Sequence, residues 1–460
     1  MGRSIEGYTA GGACRVDGWT VVYLLMAVGS LAMAHASEAQ PVAPSLKPVD
    51  YADEAKLVAL LWSRSPDVVD ARGAVGLAAS ELTRARTYPN PALDMGWGTI
   101  PVGPTTPGDL HDPIGNVPNY TVGVSELFEL AKRGPRQAAA AAELEAAHAQ
   151  ALSTLSVRFF ALLEIIGRIA KNQVRAAVAG GQVVAGQRLM ELDKARAGKG
   201  DIAVVEVERK EVEHARLLAA RDAARTDLET ARADCAALLA ASCPRFETAK
   251  SARHFLRERA AQTLPETWSA ETERQRPDIA ALDAALHAAT ERTILAERHV
   301  IPDVTVRLGY TYDTFVISGN QRQSLALGMQ LPLPVLDQGQ ADLQAATAAL
   351  VHAAQVRESL VETGRVSVQS AARQRQLIAA RVQQLQAALV KARSLLDTMA
   401  GAARQGGASQ VDVLLARRSY QELLLDRTDL TAEAYSATLR LRQAAGIFPR
   451  PDELRGTVQP

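Results

Sequence analysis

The chain has 460 residues, of which 4% are aromatic, and Ala, Leu, Gln, Glu and Arg dominate long stretches. This bias is typical of extended coiled helices and argues against two or three compact domains. Lys plus Arg and Asp plus Glu both number 51, so no net field favours nucleic acid, and the expected partners are protein and lipid.

The N-terminal segment has the order of residues found in a secretory signal. Arg3 and Arg15 precede a short apolar run at 21–33, and a small-x-small cleavage sequence follows at 34–36. The run is shorter than the about 20 residues of a transmembrane helix, and the later apolar stretches offer no other candidate. We therefore assign a signal peptide to 1–36 and expect export without a helical anchor, followed by a Pro-rich extended arm.

Two parts of the chain share one order of elements, and residues 65–98 match 276–309 at an offset of 211 residues. The dipeptide at 65–66 recurs at 276–277, and an Ala-rich helical stretch follows each copy. A second proline comes 25 residues later, at Pro91 and at Pro302. Because proline is well tolerated in the first turn, we expect a helix to begin at Pro66. A duplication on this scale indicates one architectural unit used twice.

The repeat divides the chain into six segments. Each repeat consists of a helix, two strands and a long helical hairpin. The predicted segments are the signal peptide 1–36, an N-terminal arm and helix 37–65, the first repeat 66–240, an equatorial linker 241–275, the second repeat 276–446 and a C-terminal tail 447–460.

Each repeat contains two segments in which apolar residues alternate with small or polar ones. Segments of about 8–11 residues with one apolar face match membrane β-strands. Four of them in register with the repeat, in an exported chain, favour membrane strands over half-buried hairpins of a soluble sheet. The alternating apolar residues are Leu93, Met95 and Trp97; Tyr120, Val122 and Val124; Val304, Val306, Leu308, Tyr310 and Tyr312; and Leu325, Leu327, Met329 and Leu331.

A long helical hairpin follows each pair of strands and is broken at 196–198 and at 404–406. A helix over about 136–194 would be roughly 90 Å long, comparable to the depth of a periplasm. Apolar and small residues at alternating spacings of four and three form a coiled-coil seam that allows close helix approach. These residues are Ala224, Leu228, Ala231, Cys235 and Leu238 in one hairpin and Leu385, Leu389, Ala392, Leu396, Met399 and Ala403 in the other.

Two cysteines, Cys235 and Cys243, remain after cleavage of the signal. In one continuous helix their Cα atoms would lie about 12 Å apart, too far for a disulfide. Pro244 suggests that the helix ends first, which would let the chain fold back and close a small loop. The sequence is compatible with a disulfide and also with two unlinked cysteines, one at a helix-packing position and one in a loop.

Patterns of catalysis and metal binding are missing from the sequence. The eight His residues are scattered, without a Cys/His cluster, and there is no nucleophile elbow, phosphate loop or dinucleotide fingerprint. We therefore predict no enzymatic activity, no cofactor and no intrinsic metal site.

The strands restrict what the chain can be. Four strands cannot close a barrel, and an open sheet edge cannot face lipid because its backbone groups would be unpaired. The strands must therefore join those of other subunits, and three copies would supply twelve strands. Hairpins leaving one side of such a barrel would continue it as a helical tube, which indicates transport without catalysis.

These features resemble the TolC-type outer-membrane efflux factors over essentially the whole mature chain. The resemblance rests on the repeat, the Pro-x-Leu and Pro-x-Val strand starts, the stretch 331–340 and the hairpin tips. It implies a mainly α fold with a membrane β part: a homotrimer with a twelve-stranded barrel, four strands per chain, continued by a long antiparallel coiled-coil periplasmic tunnel. The resemblance also implies an outer-membrane channel of a Gram-negative bacterium that docks on a periplasmic adaptor (membrane fusion protein) and an inner-membrane pump of the RND type.

One segment, 126–136, is similar to the heavy-metal (cation) efflux branch, which implies metal cations as substrate and a role in heavy-metal resistance. Its Lys and Arg residues would serve equally as interfacial anchors. The alternatives are an exit duct for multidrug efflux or type I secretion, a periplasmic coiled-coil adaptor, and a structural coiled coil without a pore. Two hairpins with two strand pairs disfavour the adaptor, and the aligned apolar residues of the last strand disfavour the structural protein.

The resemblance also implies roles for residues at the hairpin tips. Asp412 matches an acidic residue of the family's periplasmic entrance, so three copies would form a ring that attracts cations. The alternative for Asp412 is a solvated coiled-coil face or a helix-start carboxylate. Arg196, Gly198, Arg404 and Gly406 are assigned to adaptor docking, with the glycines serving the turns between helices.

The tips also depart from the family's pattern. Leu415 stands where a second aspartate is frequent, and Ala203 with Val204 replaces a Thr-Asp pair that in some relatives helps to close the entrance. At the offset of 208 set by Arg196 and Arg404, Val204 is the counterpart of Asp412. We therefore expect the acidic charge to come from only one of the two hairpins.

Overall fold

The computed structural model describes residues 50–98, 112, 116, 118–313 and 321–449. The predicted signal peptide, the Pro-rich arm, most of the loop 101–118 and the tail beyond residue 449 lie outside these residues.

The described residues form long helices and one antiparallel sheet. The strands are β1 (Ala92–Gly98), β2 (Asn119–Phe128), β3 (Val304–Asp313) and β4 (Gln323–Gln330). The helices are α1 (Glu54–Arg64), α2 (Pro66–Arg86), α3 (Arg133–Ala197), α4 (Val204–Leu239), α5 (Ala249–Ala260), α6 (Ala270–Gln275), α7 (Pro277–Glu297), α8 (Gln340–Arg404) and α9 (Gln410–Ala444), with a 3-10 turn at Arg298–Val300.

Local sequence signals explain where several helices begin. Pro66 and Pro277 are the first residues of α2 and α7, where the missing N–H group would have no intrahelical partner. The side chain of Asp53 accepts a hydrogen bond from the backbone N–H of Lys56 (3.1 Å) and caps α1. Thr248 and Ser251 form a capping box at the start of α5. The helix start predicted at Pro66 is thereby confirmed.

The four predicted strands are present, and they pair in the order β1-β2-β3-β4. The central pair, β2 with β3, joins strands that are far apart in sequence, and Gly123 lies directly opposite Gly309. Strands β1 and β4 are the two edges of this sheet. The sheet is thus built from both parts of the chain, and its ends remain open to pairing.

The hairpins are long and regular. Helices α3 and α8 have 65 residues each, and they pair with α4 and α9, which have 36 and 35 residues. The predicted seam of the first hairpin is confirmed, since Ala224, Leu228, Ala231 and Cys235 are buried. In the second hairpin Leu389 is buried and the other predicted seam residues are half-buried.

The main hydrophobic core lies around the middle of α3. Phe159, Leu162 and Ile166 are buried there against α1, α5 and the ends of α4 and α9. Because of this segment, α3 is the one described helix that is long and apolar enough to cross a membrane. From the sequence we predict no membrane-spanning helix after the signal peptide. Because 56% of the apolar window is buried inside the protein, we assign it to the core.

The open question about the cysteines is answered by a disulfide between Cys235 and Cys243, whose Cα atoms lie 6.1 Å apart. Helix α4 ends at Leu239, and Ala240 adopts a left-handed conformation with φ of 46°. The chain therefore turns back, as Pro244 suggested, and both sulfurs are buried in the core.

Candidate functional site

One face of the sheet is apolar and exposed. Side chains directly opposite each other on paired strands share a face, and two complete rows across the sheet are apolar. The exposed fraction of Leu93, Met95, Leu325 and Leu327 is between 64% and 79%, far above that of core residues. The rows are Leu93–Val124–Leu308–Leu327 and Met95–Val122–Tyr310–Leu325. A continuous apolar surface of this kind needs a partner other than water.

The opposite face is small and polar. Its rows are Asp94–Gly123–Gly309–Ala326 and Gly96–Thr121–Thr311–Ser324. The Ser125 hydroxyl donates to Asp94 Oδ2 (2.9 Å), and Arg307 Nε lies 3.6 Å from the same oxygen. An apolar face backed by a polar face is the arrangement of a membrane strand whose second side faces water.

The segment 126–136 joins the sheet to the first hairpin through polar contacts. Arg133 donates to the carbonyl of Arg86 (3.0 Å) and Arg136 to that of Ala85 (3.1 Å), so both cap the end of α2. Arg136 also pairs with Glu129. We call these bonds, together with the Lys132–Asp303 ion pair (3.0 Å), the joint. The joint gives the basic residues of this segment partners within the protein.

The two hairpin turns have the same backbone geometry. In the second turn Gly406 has φ of +79°, and the N–H of Gly407 donates to the carbonyl of Ala402 (2.9 Å). In the first turn Gly200 has φ of +80°, and the N–H of Asp201 donates to the carbonyl of Arg196 (3.0 Å). Both glycines adopt the left-handed conformation that a residue with a Cβ atom avoids.

The turn role predicted for Gly406 is therefore confirmed, whereas Gly198 lies in the first turn without adopting the left-handed conformation. Gly198 has φ of −64° and ends α3 in a right-handed conformation that any residue can adopt. Gly200, two residues further on, makes the turn. The pattern Gly-Lys-Gly allowed either glycine, and of the two it is Gly200 that takes the left-handed conformation.

The predicted docking residues lie in two separate turns. Arg196 is in the last turn of α3, where its guanidinium is 4.0 Å from Asp193, and Arg404 is the last residue of α8. The Nε atom of Arg404 donates to the carbonyl of Ala400 (3.2 Å). Both side chains thus interact with the last turn of their own helix.

Asp412 lies at the start of α9 in a capping box. Its Oδ2 atom accepts hydrogen bonds from the backbone N–H (3.1 Å) and the hydroxyl (2.8 Å) of Ser409, and its own N–H donates to that hydroxyl (3.2 Å). These hydrogen bonds from Ser409 hold the pKa of Asp412 below its usual value. The carboxylate is exposed and stays ionised in neutral solution.

The first hairpin has an acid at the same place, contrary to the expectation that Val204 would be the counterpart of Asp412. In each turn, three residues lie between the left-handed glycine and the first residue of the following helix, α4 or α9. Ala203 therefore matches the cap Ser409, and Glu206 matches Asp412. The structural offset at the tips is therefore 206 rather than 208. Glu206 is exposed and its carboxylate accepts a hydrogen bond from Arg209 (3.1 Å). Both hairpins thus carry an acid at the third helical position.

Comparisons with known proteins agree with this architecture. Residues 268–447 match the sequence model of a family described as outer membrane efflux protein. Curated protein sequences gave no match.

Solved structures match most of the chain. The Campylobacter jejuni CmeC outer membrane channel has a TM-score of 0.70 at 13% identity, covering 87% of each chain. The outer membrane protein VceC of Vibrio cholerae has a TM-score of 0.65 at 19% identity, covering 86% of this chain and 96% of VceC. CusC, described through its folding and transmembrane channel formation, has a TM-score of 0.67 at 16% identity, covering 85% of this chain and 92% of CusC.

The second part of the chain carries the sequence match, and almost the whole described chain carries the fold. The apolar sheet and the long hairpins are the parts that such a protein needs in order to cross a membrane and extend away from it. Residues 268–447 therefore resemble the outer membrane efflux protein family, and the chain as a whole has the fold of the solved outer membrane channels.

Proposed function

We propose that three copies of the chain form a twelve-stranded barrel that continues as an α-helical periplasmic tunnel and conducts substrate passively to the cell exterior. The observation that carries this proposal is the four-stranded sheet with one exposed apolar face and two unpaired edges. In lipid an unpaired edge is excluded because its backbone groups have no partner. Pairing β4 of one copy with β1 of the next removes every edge once the ring closes.

The remaining parts of the system follow from the same architecture. The signal peptide at 1–36 would direct export, and the barrel would contact outer-membrane lipid through its apolar face. The tips, with Arg196, Gly198, Arg404 and Gly406, would dock on a periplasmic adaptor that connects the channel to an inner-membrane pump of the RND type. The half-buried Arg196 and the exposed Lys199 support a polar docking surface rather than an apolar one.

At the entrance, Asp412 would stand in the pore as part of an acidic ring, and its capping bonds to Ser409 would fix its position. Since Glu206 occupies the matching place in the first hairpin, three chains would bring six carboxylates to the tips. Rings of acids attract cations, and this favours metal cations as the substrate class. The similarity of segment 126–136 to the heavy-metal branch points the same way.

The proposal is tested by purifying the protein in detergent, measuring its mass and recording conductance in a planar bilayer. We expect a particle of three chains, each of at most 49.1 kDa. We also expect stable conductance steps that persist as the applied voltage is raised. A monomer that is soluble without detergent and gives no conductance would contradict the channel. Trimers with conductance but equal permeability to cations and anions would contradict the acidic entrance alone.

A further inference from the structure

A groove on the second hairpin has a concentration of positive charge that the channel function does not use. It has a volume of about 880 Å³ and lies where α5 crosses the paired helices α8 and α9. Its position is at the level of the core, far from both the sheet and the hairpin tips.

Four cationic side chains line this groove, which we call the basic groove. Lys250, Arg253 and Arg257 follow one another at spacings of three and four, so they lie on one face of α5. Arg427 faces them from α9. His254 is at the rim, where its Nε2 atom lies 3.5 Å from Glu258.

Within the described residues, none of these four cations has a carboxylate within ion-pair distance. Arg253 Nε is buried without a hydrogen-bond partner, and Arg427 makes one long bond, of 3.4 Å, to the amide oxygen of Gln386. Burial, with the like charges of Arg253 and Arg257, lowers the pKa of Arg427. Lys250 is also in the first turn of α5, where the helix dipole disfavours a cation.

Two arginines near the core, one on α3 and one on α9, are paired with carboxylates. Arg175 on α3 is 2.9 Å from Asp429 on α9, and Arg442 on α9 binds Glu54 through two nitrogens. The basic groove therefore brings four cations without a carboxylate partner among the described residues to one place, in a chain with equal numbers of acids and bases. Repulsion among its members lowers stability unless an anion neutralises it.

The floor of the basic groove is apolar. Ala379 and Val382 of α8 and Ala434 of α9 lie between the charged walls. A cavity of this volume with an apolar floor and a few convergent polar groups is typical of small-molecule sites.

We infer that the basic groove binds an organic anion with at least two acidic groups and an apolar body. The acidic groups, carboxylate or phosphate in type, would accept hydrogen bonds from the guanidinium groups on both walls, and the apolar body would lie on the alanine and valine side chains. A bound anion would link α5 to α9 and stabilise the junction of the core with the second hairpin.

The test uses the full-length protein in detergent with naphthalene-1,5-disulfonate as the probe, measured by calorimetry and by thermal unfolding. Naphthalene-1-sulfonate, with one acidic group on the same body, is the matched ligand control. We expect the disulfonate to raise the melting temperature in a salt-sensitive manner and to bind more tightly than the monosulfonate.

The double variant Arg253→Gln/Arg427→Gln should bind the disulfonate at least about tenfold more weakly, because two charge-assisted contacts are lost. Without ligand it should be as stable as the parent or more so, since repulsion is relieved, and this separates lost binding from lost folding. The control Arg393→Gln, at an exposed position on α8, should bind as the parent does.

Two results would overturn the inference. One is no binding, or equal binding by parent and double variant, which would make the groove an ordinary solvated surface. The other is loss of the oligomer in the double variant without any effect on anion binding, which would make the groove a contact between copies of the chain.

Discussion

The ring of Tyr435 lies against the bare Cα of Gly167, where α9 crosses α3. A Cβ atom at Gly167 would be 2.5 Å from Cε1 of the ring. The ring cannot move away freely, because it is buried and its hydroxyl donates to the carbonyl of Leu163 (2.9 Å). We expect Gly167→Ala to destabilise the protein by about 1–3 kcal/mol through overpacking, measured as a fall in the midpoint of denaturant unfolding.

Gly181→Ala in the same helix is the matched control. No atom lies within 4 Å of a Cβ at that position, and the residue is exposed. Its expected effect is a gain of up to about 1 kcal/mol from helix propensity. Equal effects of the two substitutions would show that the contact with Tyr435 does not limit the approach of the helices.

Glu54 ties the N-terminal helix to two distant helices. Its carboxylate binds Arg442 through two bonds (2.8 and 2.5 Å) and Arg259 through one (2.7 Å). Burial raises the pKa of Glu54, but the hydrogen bonds and charges of the arginines outweigh it and leave the pKa below its usual value. The pair therefore contributes stability above about pH 4.3, and this stability is lost as the pH falls through the lower folded pKa.

We expect Glu54→Gln to lower the melting temperature strongly at pH 7, because breaking a buried pair costs about 3–5 kcal/mol. The difference from the parent should shrink as the solution is acidified below about pH 4, since Glu54 then becomes neutral in the parent as well. Asp70→Asn, at an exposed position on α2, should show no such convergence. A difference that is independent of pH would contradict an ionised Glu54.

The disulfide closes a short loop within the core. Closing a loop of this length should stabilise the protein by about 2–3 kcal/mol relative to the reduced chain. We expect a reducing agent to lower the melting temperature of the parent and to leave a Cys235→Ala/Cys243→Ala variant unchanged. If both proteins respond alike, reduction acts on something other than this bond.

Adjacent residues on β4 test the two faces of the sheet. Leu327→Arg places a charge on the apolar face and should cost about 2–4 kcal/mol near the middle of the membrane. Ala326→Arg places the same charge on the polar face and should be tolerated. The yield of heat-stable oligomer in membranes distinguishes the two, and equal yields would argue against lipid on the apolar face.

Asp412 has two roles that different substitutions separate. Asp412→Asn removes the charge but keeps an oxygen that can accept the bonds from Ser409, whereas Asp412→Ala also removes those reciprocal bonds, at about 0.5–1.5 kcal/mol. We expect both to reduce the cation preference measured from reversal potentials, and Glu206→Gln to reduce it further. Unchanged selectivity in all three would remove these acids from the pore.

Sequence patterns predict the strands and the seams well because burial and lipid contact impose simple periods. Each alternating residue from Leu93 to Trp97 lies in β1, and the long helix expected over about 136–194 extends only a few residues further at each end. The pairing of β2 with β3 is not encoded locally, since it depends on contacts between distant segments.

The counterpart of Asp412 was missed for a geometric reason. The offset between the two parts is 211 at the first strand of each part but 206 at the tips, because the loops between the paired strands differ in length. Each residue turns a helix by about 100°, so an error of two residues moves the comparison to the opposite face. Only the left-handed glycines, Gly200 and Gly406, fix the register, and glycine is too frequent near both turns to show this from sequence.

The joint between the sheet and the first hairpin determines where the molecule can move. Rotating α3 about its axis would break the bonds from Arg133 and Arg136 to the end of α2, together with the ion pair of Lys132. At the other end of the helix, Gly200 adjoins open space, and the Lys194–Glu211 ion pair (2.6 Å) joins α3 to α4 of the same hairpin. The first hairpin is thus held at its sheet end, so that a small twist near the core becomes a large displacement at its tip.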